Sequence, residues 1–332
     1  MAVSNKKNSS KHQDKEKEKL EKLFSENANG VRGQSPEGNK FKKPESIKNI
    51  SRHRIWSRFV VILGVIVYIW YTAKDGKETS LAKQKEVLQQ RGQSFPCDNE
   101  YLEEIESFSG CVPAKCGRHV SDKLVTANEA DVLLKIAQRG ISLGGSDGGA
   151  SILDLHSGAL SYGQKFINIY SLEESKKIFN AADLTVYKVV KSKIQHAIAE
   201  IFQIDFDSLH LTHPTFFSRL TNLEPKTEHD EYWHVHVDKV TYESFHYTSL
   251  LYLTDYGIDF DGGRLIFLDG PIEKPTNNVT LEPRKGRVSM FTSGAENVHR
   301  VEKVTKGTRY AITVSFTCDV SKAIKDPSVP KS

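Results

Sequence analysis

Cysteine is scarce in this chain: 332 residues hold four, Cys97, Cys111, Cys116 and Cys318, and none precedes position 97. No two stand in Cys-x-x-Cys spacing, which argues against a structural zinc site. An even number, all on one side of the apolar run described below, fits either two disulfide bridges of open connectivity or reduced, buried thiols. Apolar residues are also few, 38% of the chain, too few for a chain packed from end to end. The glycine run Gly144-Gly145-Ser146-Asp147-Gly148-Gly149 lacks the Gly-Lys-Ser/Thr ending of a phosphate-cradling loop, and no buried strand leads into it. A mobile loop beside an active site is the expectation there. The net charge of +4 is not evenly spread: residues 1–54 carry 14 Lys+Arg against 7 Asp+Glu, so the remainder is acidic by three. The basic character belongs to the N-terminus, and nothing in it speaks for nucleic-acid binding.

Residues 1–54 are rich in Lys, Glu, Asn, Ser and Gly, and such a stretch buries too little surface to offset its chain entropy. It reads as a disordered basic tail. Phe59 to Ala73 is the one long uncharged run, FVVILGVIVYIWYTA. It is short against the roughly 20 residues that a helix needs to cross hydrocarbon. Ile55 and Trp56 extend it, Arg58 can snorkel to the interface, and Trp56, Trp70 and Tyr71 sit where aromatic rings favour the lipid–water boundary. A signal peptide would begin near residue 1 and end in a small-residue cleavage site, and neither condition holds. The reading is a transmembrane signal-anchor over 55–74. Seven Lys+Arg in 39–58 against five in 74–93 place the tail in the cytosol. This predicts a single-pass type II membrane protein, its larger part in the lumen of the endoplasmic reticulum or Golgi. There Asn278-Val279-Thr280 becomes a usable glycosylation sequon.

The segment 75–120 reads as a polar stem followed by a cysteine-bearing entry, and 121–208 as a helical support region. Thr126 with Glu129 is a capping box for a helix ended by Gly140, and Ser171 to Glu174 resembles a second box. A longer helix is expected at about 183–202, its Val186, Val190, Ile194 and Ile198 forming an apolar stripe. Over 209–320 the texture changes to short β-branched and aromatic runs: Thr215–Thr221, Tyr232–Asp238, Tyr247–Thr254, Arg264–Leu268, Arg287–Phe291 and Tyr310–Cys318. The fold class is α+β, a double-stranded β-helix (jelly roll) with flanking helices, and 321–332 is a C-terminal tail.

The chemistry gathers at His234-Val235-His236-Val237-Asp238. On a strand, alternate side chains share a face, so His236 and Asp238 stand together where they can hold one ion. One more His completes a two-His-one-carboxylate set with open positions for substrate and oxygen. His299 is the candidate, because Arg309 follows ten residues later and offers a bidentate grip on a dicarboxylate. His210, His213, His229 and His246 compete for the role. His234 allows the His-x-His of a cupin.

His236-Val237-Asp238, Tyr252-Leu253, Gly262-Gly263, Pro283 to Gly286, His299 and Gly307-Thr308-Arg309-Tyr310 then follow one another in a known order. That order resembles the iron- and 2-oxoglutarate-dependent dioxygenases of the prolyl 4-hydroxylase type, over about 210–318. The resemblance implies Fe(II) on His236, Asp238 and His299, and 2-oxoglutarate paired with Arg309, with Tyr252 and Thr313 bonding the same carboxylate. It implies hydroxylation of a C–H bond, succinate and CO₂ as products, L-ascorbate as reductant, and a protein or peptide as substrate. Where relatives place Glu-Thr after the paired glycines, this chain has Arg264-Leu265. The competing readings are a catalytically silent, membrane-tethered binding module and a cupin-like metalloprotein.

Overall fold

The structure is a computed structural model that describes residues 48–72 and 77–327. The chain divides into an N-terminal unit ending at Tyr68 and a body from Ile69. A helix, α1 (Lys48–Thr72), begins inside the stretch read as tail; residues 1–47 of that tail lie outside the described residues. Its side chains are described from Trp56 to Ile69, and Phe59, Leu63 and Ile66 among them are exposed. Among the described residues no helix is long and apolar enough to cross a membrane. The expected span of 55–74 runs past those side chains at both ends.

The body opens with β1 (Lys77–Ala82) and β2 (Arg91–Phe95), then α2 (Asn99–Ile105) and β3 (Cys116–Ser121). Next come α3 (Ala127–Ile141), β4 (Gly145–Ser146), β5 (Ala150–Leu153), β6 (Ala159–Gly163) and β7 (Lys165–Asn168). A single turn, α4 (Ser175–Ile178), precedes the long α5 (Ala181–Phe202). The strands β8 (His210–Leu211) and β9 (Phe216–Thr221) follow, and one helical turn, α6 (Asp238–Thr241), leads to β10 (Tyr247–Tyr252). Last are β11 (Phe260–Gly262), β12 (Leu265–Asp269), β13 (Asn277–Leu281), β14 (Val288–Thr292), β15 (His299–Val301) and β16 (Val304–Thr317).

Two sheets result: a large one with the spine β2-β3-β14-β10-β16-β9-β5-β6-β4, and a small one ordered β1-β13-β12-β15. The strand alternation makes three layers. On β16, Ile312, Val314 and Phe316 pack with Leu133 and Ile136 of α3 and Ile194 and Phe202 of α5. On the opposite face, Leu250 and Tyr252 of β10 and Ala311 of β16 meet Leu265, Phe267, Val279 and Leu281 of the small sheet. This is the jelly-roll arrangement with flanking helices.

Several local expectations change. Lys77–Ala82 is a strand, paired in parallel with β13, and Leu81 and Ala82 are buried against the core, so no free stem exists there. Arg287, fully enclosed, donates to the carbonyls of Lys83 and Glu86 and pairs with Asp122, which fastens the same segment. The box at Thr126 and Glu129 forms as read, but Gly140 lies inside α3 rather than after it. A Cβ there would stand 2.3 Å from Leu153 Cδ2, so any larger residue would make the Leu153 side chain shift where helix packs on sheet. The second box is made by Asn180 and Asp183, at the head of α5, and not by Ser171 and Glu174. Disulfides join Cys97 to Cys116 and Cys111 to Cys318. The described part of the C-terminal tail is docked, Ile324 N–H donating to Leu211 O. Asn278 stands inside β13, between β1 and β12, with Oδ1 buried, not in the surface loop that a sequon calls for.

Candidate metal centre

The register of the large sheet sets one wall of the site. Leu250 pairs with Ser289 on one side and Thr313 on the other, and Arg309 pairs with Leu220, which pairs with Ala150. Directly opposed residues share a face, so these side chains point together toward the small sheet. Ala150, Leu220, Leu250, Arg309 and Thr313 border a cavity of about 400 Å³, with Leu265, His299 and Val301 of the small sheet opposite.

Tyr232–Asp238, expected as a strand, is not one. The only bridge in it joins His236 to His299, each backbone N–H donating to the other's carbonyl at 2.9 and 3.0 Å. The chain then turns into α6, whose first residue is Asp238. Strand alternation therefore named the right residues for the wrong reason. A backbone bridge holds the two imidazoles, and a helical turn swings the carboxylate in beneath them. Asp238 Oδ1 lies 3.5 Å from His236 Nε2 and 3.7 Å from His299 Nε2. One ligand atom from each of the three lies within 4.8 Å of the others, the sole such group among the described residues.

Both rings are turned to offer Nε2. His236 Nδ1 is 2.9 Å from His234 O, and His299 Nδ1 is 2.9 Å from Asn297 O. A carbonyl only accepts, so Nδ1 carries the proton and Nε2 presents its lone pair. Phe267 and Phe291 pack around the His299 ring. Burial pulls the His299 pKa down, against the attraction of Asp238. Burial acts on the more open His236 too, but the hydrogen bond and charge of Asp238 prevail and raise it. Burial would raise Asp238, yet the facing imidazoles hold its carboxyl below the usual range. Asp238 Oδ2 is buried without a hydrogen-bond partner, the kind of orphan that a cation satisfies.

Arg309, also enclosed, donates from Nε to Gly263 O at 2.9 Å, and its Nη2 is a second buried orphan, suited to an anion. Gly262 and Gly263 both have positive φ, and a Cβ on Gly263 would come 2.9 Å from Arg309 Cδ, so the paired glycines let backbone and guanidinium meet. Thr313 lines the cavity; Tyr252 lies just behind it, its ring 5.3 Å from the guanidinium carbon. Arg264 turns outward, bonded to Glu302 and Glu78, while Leu265 gives the cavity an apolar wall.

The other histidines stay apart from the cluster. His234 is exposed and pairs with Glu231, so no His-x-His ligand set forms. His229 stands at the cavity mouth, His213 faces Asp154, and His246 is enclosed near Glu104 and Thr317. Sequence reading missed Asp230. This buried carboxylate accepts from Ser146 Oγ, from Thr227 Oγ1 and from the N–H groups of Ala150, Lys226 and Thr227. It thereby ties the glycine-rich turn to the loop that carries His229 and Glu231 at the mouth.

A profile described as the 2OG-Fe(II) oxygenase superfamily matches residues 222–317. The chain is 53% identical over 280 residues to 2-oxoglutarate and iron-dependent oxygenase domain-containing protein 3 of Xenopus tropicalis, covering 82% of this chain and 86% of that protein. The Homo sapiens protein of that name is 51% identical over 81% of this chain and 83% of its own length. Prolyl 3-hydroxylase 1 of Gallus gallus is 30% identical over 61% of this chain and 29% of its own length.

Proposed function

We infer the reaction from the premise that this chain belongs to the 2OG-Fe(II) oxygenase superfamily: it is a 2-oxoglutarate-dependent dioxygenase that uses Fe(II) and 2-oxoglutarate. The reaction assigned is hydroxylation of a protein side chain, with release of succinate and CO₂. His236, Asp238 and His299 hold the iron in this reading, and Arg309 grips the distal carboxylate of 2-oxoglutarate, helped by Tyr252 and Thr313. The observation that carries it is the pair of buried orphans, Asp238 Oδ2 and Arg309 Nη2, one waiting for a cation and the other for an anion around one cavity. Iron and 2-oxoglutarate together supply the oxidative decarboxylation that drives C–H hydroxylation. The protein presents two Nε2 lone pairs, fixes them through His234 O and Asn297 O, and excludes water with Phe216, Leu220, Leu250 and Leu265. The likeness to a prolyl 3-hydroxylase supports a peptide substrate, and L-ascorbate is the reductant that keeps the iron ferrous.

The proposal includes an anchor. Helix α1 with the apolar run 59–73 serves as a single-pass signal-anchor, tail in the cytosol and body in the lumen. Two disulfides, both on the C-terminal side, support an oxidising surrounding for the body.

Succinate formation by the purified full chain with Fe(II), 2-oxoglutarate and ascorbate tests the reaction. Wild type should form succinate even without a peptide, slowly, while His236→Ala should form none and Arg309→Ala, unable to grip 2-oxoglutarate, should form little or none. No succinate and no stabilisation of wild type by 2-oxoglutarate would sink the assignment of the site.

A further inference from the structure

Three enclosed polar atoms beside the Arg309 end of the cavity have no hydrogen-bond partner: Arg309 Nη2, Tyr252 OH and Ser289 Oγ. Two of them were named from sequence; Ser289 was not. It sits on β14 opposite Leu250 of β10, and Tyr252 is two residues along β10 on the same face. The Arg309 guanidinium carbon lies 5.3 Å from the Tyr252 ring, and Ser289 shares a face with Tyr252 on the neighbouring strand; burial raises the Tyr252 pKa, and the Arg309 charge and the Ser289 hydroxyl pull it back. A native interior rarely strands three polar groups together, so the set points to a ligand.

The donor inventory decides how they divide the work. A guanidinium has only donors. The Tyr252 proton therefore has two acceptors open to it, the Ser289 oxygen or an incoming anion. If it goes to Ser289, the phenol offers the anion nothing. If instead Ser289 donates to the phenol oxygen, the Tyr252 O–H is free to reach outward.

We propose that Ser289 is a positioning residue for the cosubstrate: its hydroxyl donates to Tyr252 OH, which aims the Tyr252 proton at the carboxylate gripped by Arg309. This rests on the assignment of Arg309 to 2-oxoglutarate made above. Ser289 does not touch the ligand and acts only through Tyr252.

The test is calorimetric titration of 2-oxoglutarate into the full chain loaded with Mn(II), for wild type, Ser289→Ala, Tyr252→Phe and the double variant. Ser289→Ala should weaken binding about tenfold, the scale of a hydrogen bond to a charged group acting in part. Tyr252→Phe should weaken it by at least as much, and the double variant no further than Tyr252→Phe alone. The ligand-free melting temperature of Ser289→Ala should stay close to wild type, because the hydroxyl makes its bond to Tyr252 only once the cosubstrate takes the Tyr252 proton. 2-Oxobutanoate, which lacks the distal carboxylate, should bind all four proteins alike. Unchanged affinity in Ser289→Ala, or losses that multiply in the double variant, would overturn the relay while leaving the Arg309 assignment standing. If wild type itself fails to bind 2-oxoglutarate, the assignment falls and the relay with it.

Discussion

His299 and His246 are both enclosed, both flanked by strand, and only one belongs to the metal cluster. The difference lies in their nitrogens. His299 spends Nδ1 on a carbonyl and keeps Nε2 for Asp238, whereas His246 uses both: Nδ1 accepts from Cys318 N–H and neighbours Thr317 Oγ1, and Nε2 lies 3.2 Å from Glu104 and 3.5 Å from Lys239. Burial and the Lys239 charge, opposed by Glu104 and Asp319, pull the His246 pKa down to about 4. Its unfolded value is about 6.5, so below that pH the unfolded chain takes a proton that the folded chain refuses. The contribution is therefore intact above pH 6.5 and is lost as pH falls toward 4, about 2 kcal/mol by pH 5. Urea unfolding at pH 7 and pH 5 should show that loss in wild type and a smaller one in His246→Gln; equal losses in the two would refute it. At this scale Tyr252 and Thr313 came only from the family resemblance, whereas the spacing of His236 and Asp238, and Arg309 ten residues after His299, were legible. Ser289 was not, since one hydroxyl inside Val288–Phe291 carries no pattern of its own. Asp230 was hidden too, for it binds backbone N–H groups that no residue type announces.

At the scale of elements, the large-sheet strands after residue 208 follow their β-branched runs closely, but β2–β7 of the same sheet fall in stretches read as stem and helical support; two further misreadings have separate causes. Tyr232–Asp238 has strand composition, but its backbone groups go to a bridge and a helical turn, so composition without partners made no ladder. KETSLA of β1 has the opposite problem: as an edge strand it buries little beyond Leu81 and Ala82, and it reads as polar linker. The ion pair from Arg264 to Glu78 and the bonds from Arg287 further bind this region to the small sheet and its neighbours. A chain beginning at Lys83 should be less stable than one beginning at Lys77 by at least about 3 kcal/mol, the scale of removing a buried Leu with its surroundings. Urea midpoints compare the two, and matching midpoints would restore the stem reading.

For the whole molecule, the proposed anchor predicts an orientation. In sealed vesicles from cells making the full chain, added protease should remove the basic tail and spare the body, and alkaline carbonate should not extract it. Digestion of the body in intact vesicles would reverse the orientation, and extraction would remove the anchor. The small sheet has a consequence of another kind. β1 stands at one edge of it and β15, with His299, at the other, and Thr280 of β13 bonds the carbonyl of Thr79 across 201 residues of chain. The Cys111–Cys318 link spans 207. Contacts so distant in sequence form late and slowly. A ribosome must therefore deliver nearly all of the body before its first strand has a neighbour. Until then Leu81 lies bare, and the nascent chain spends most of its synthesis in need of a chaperone.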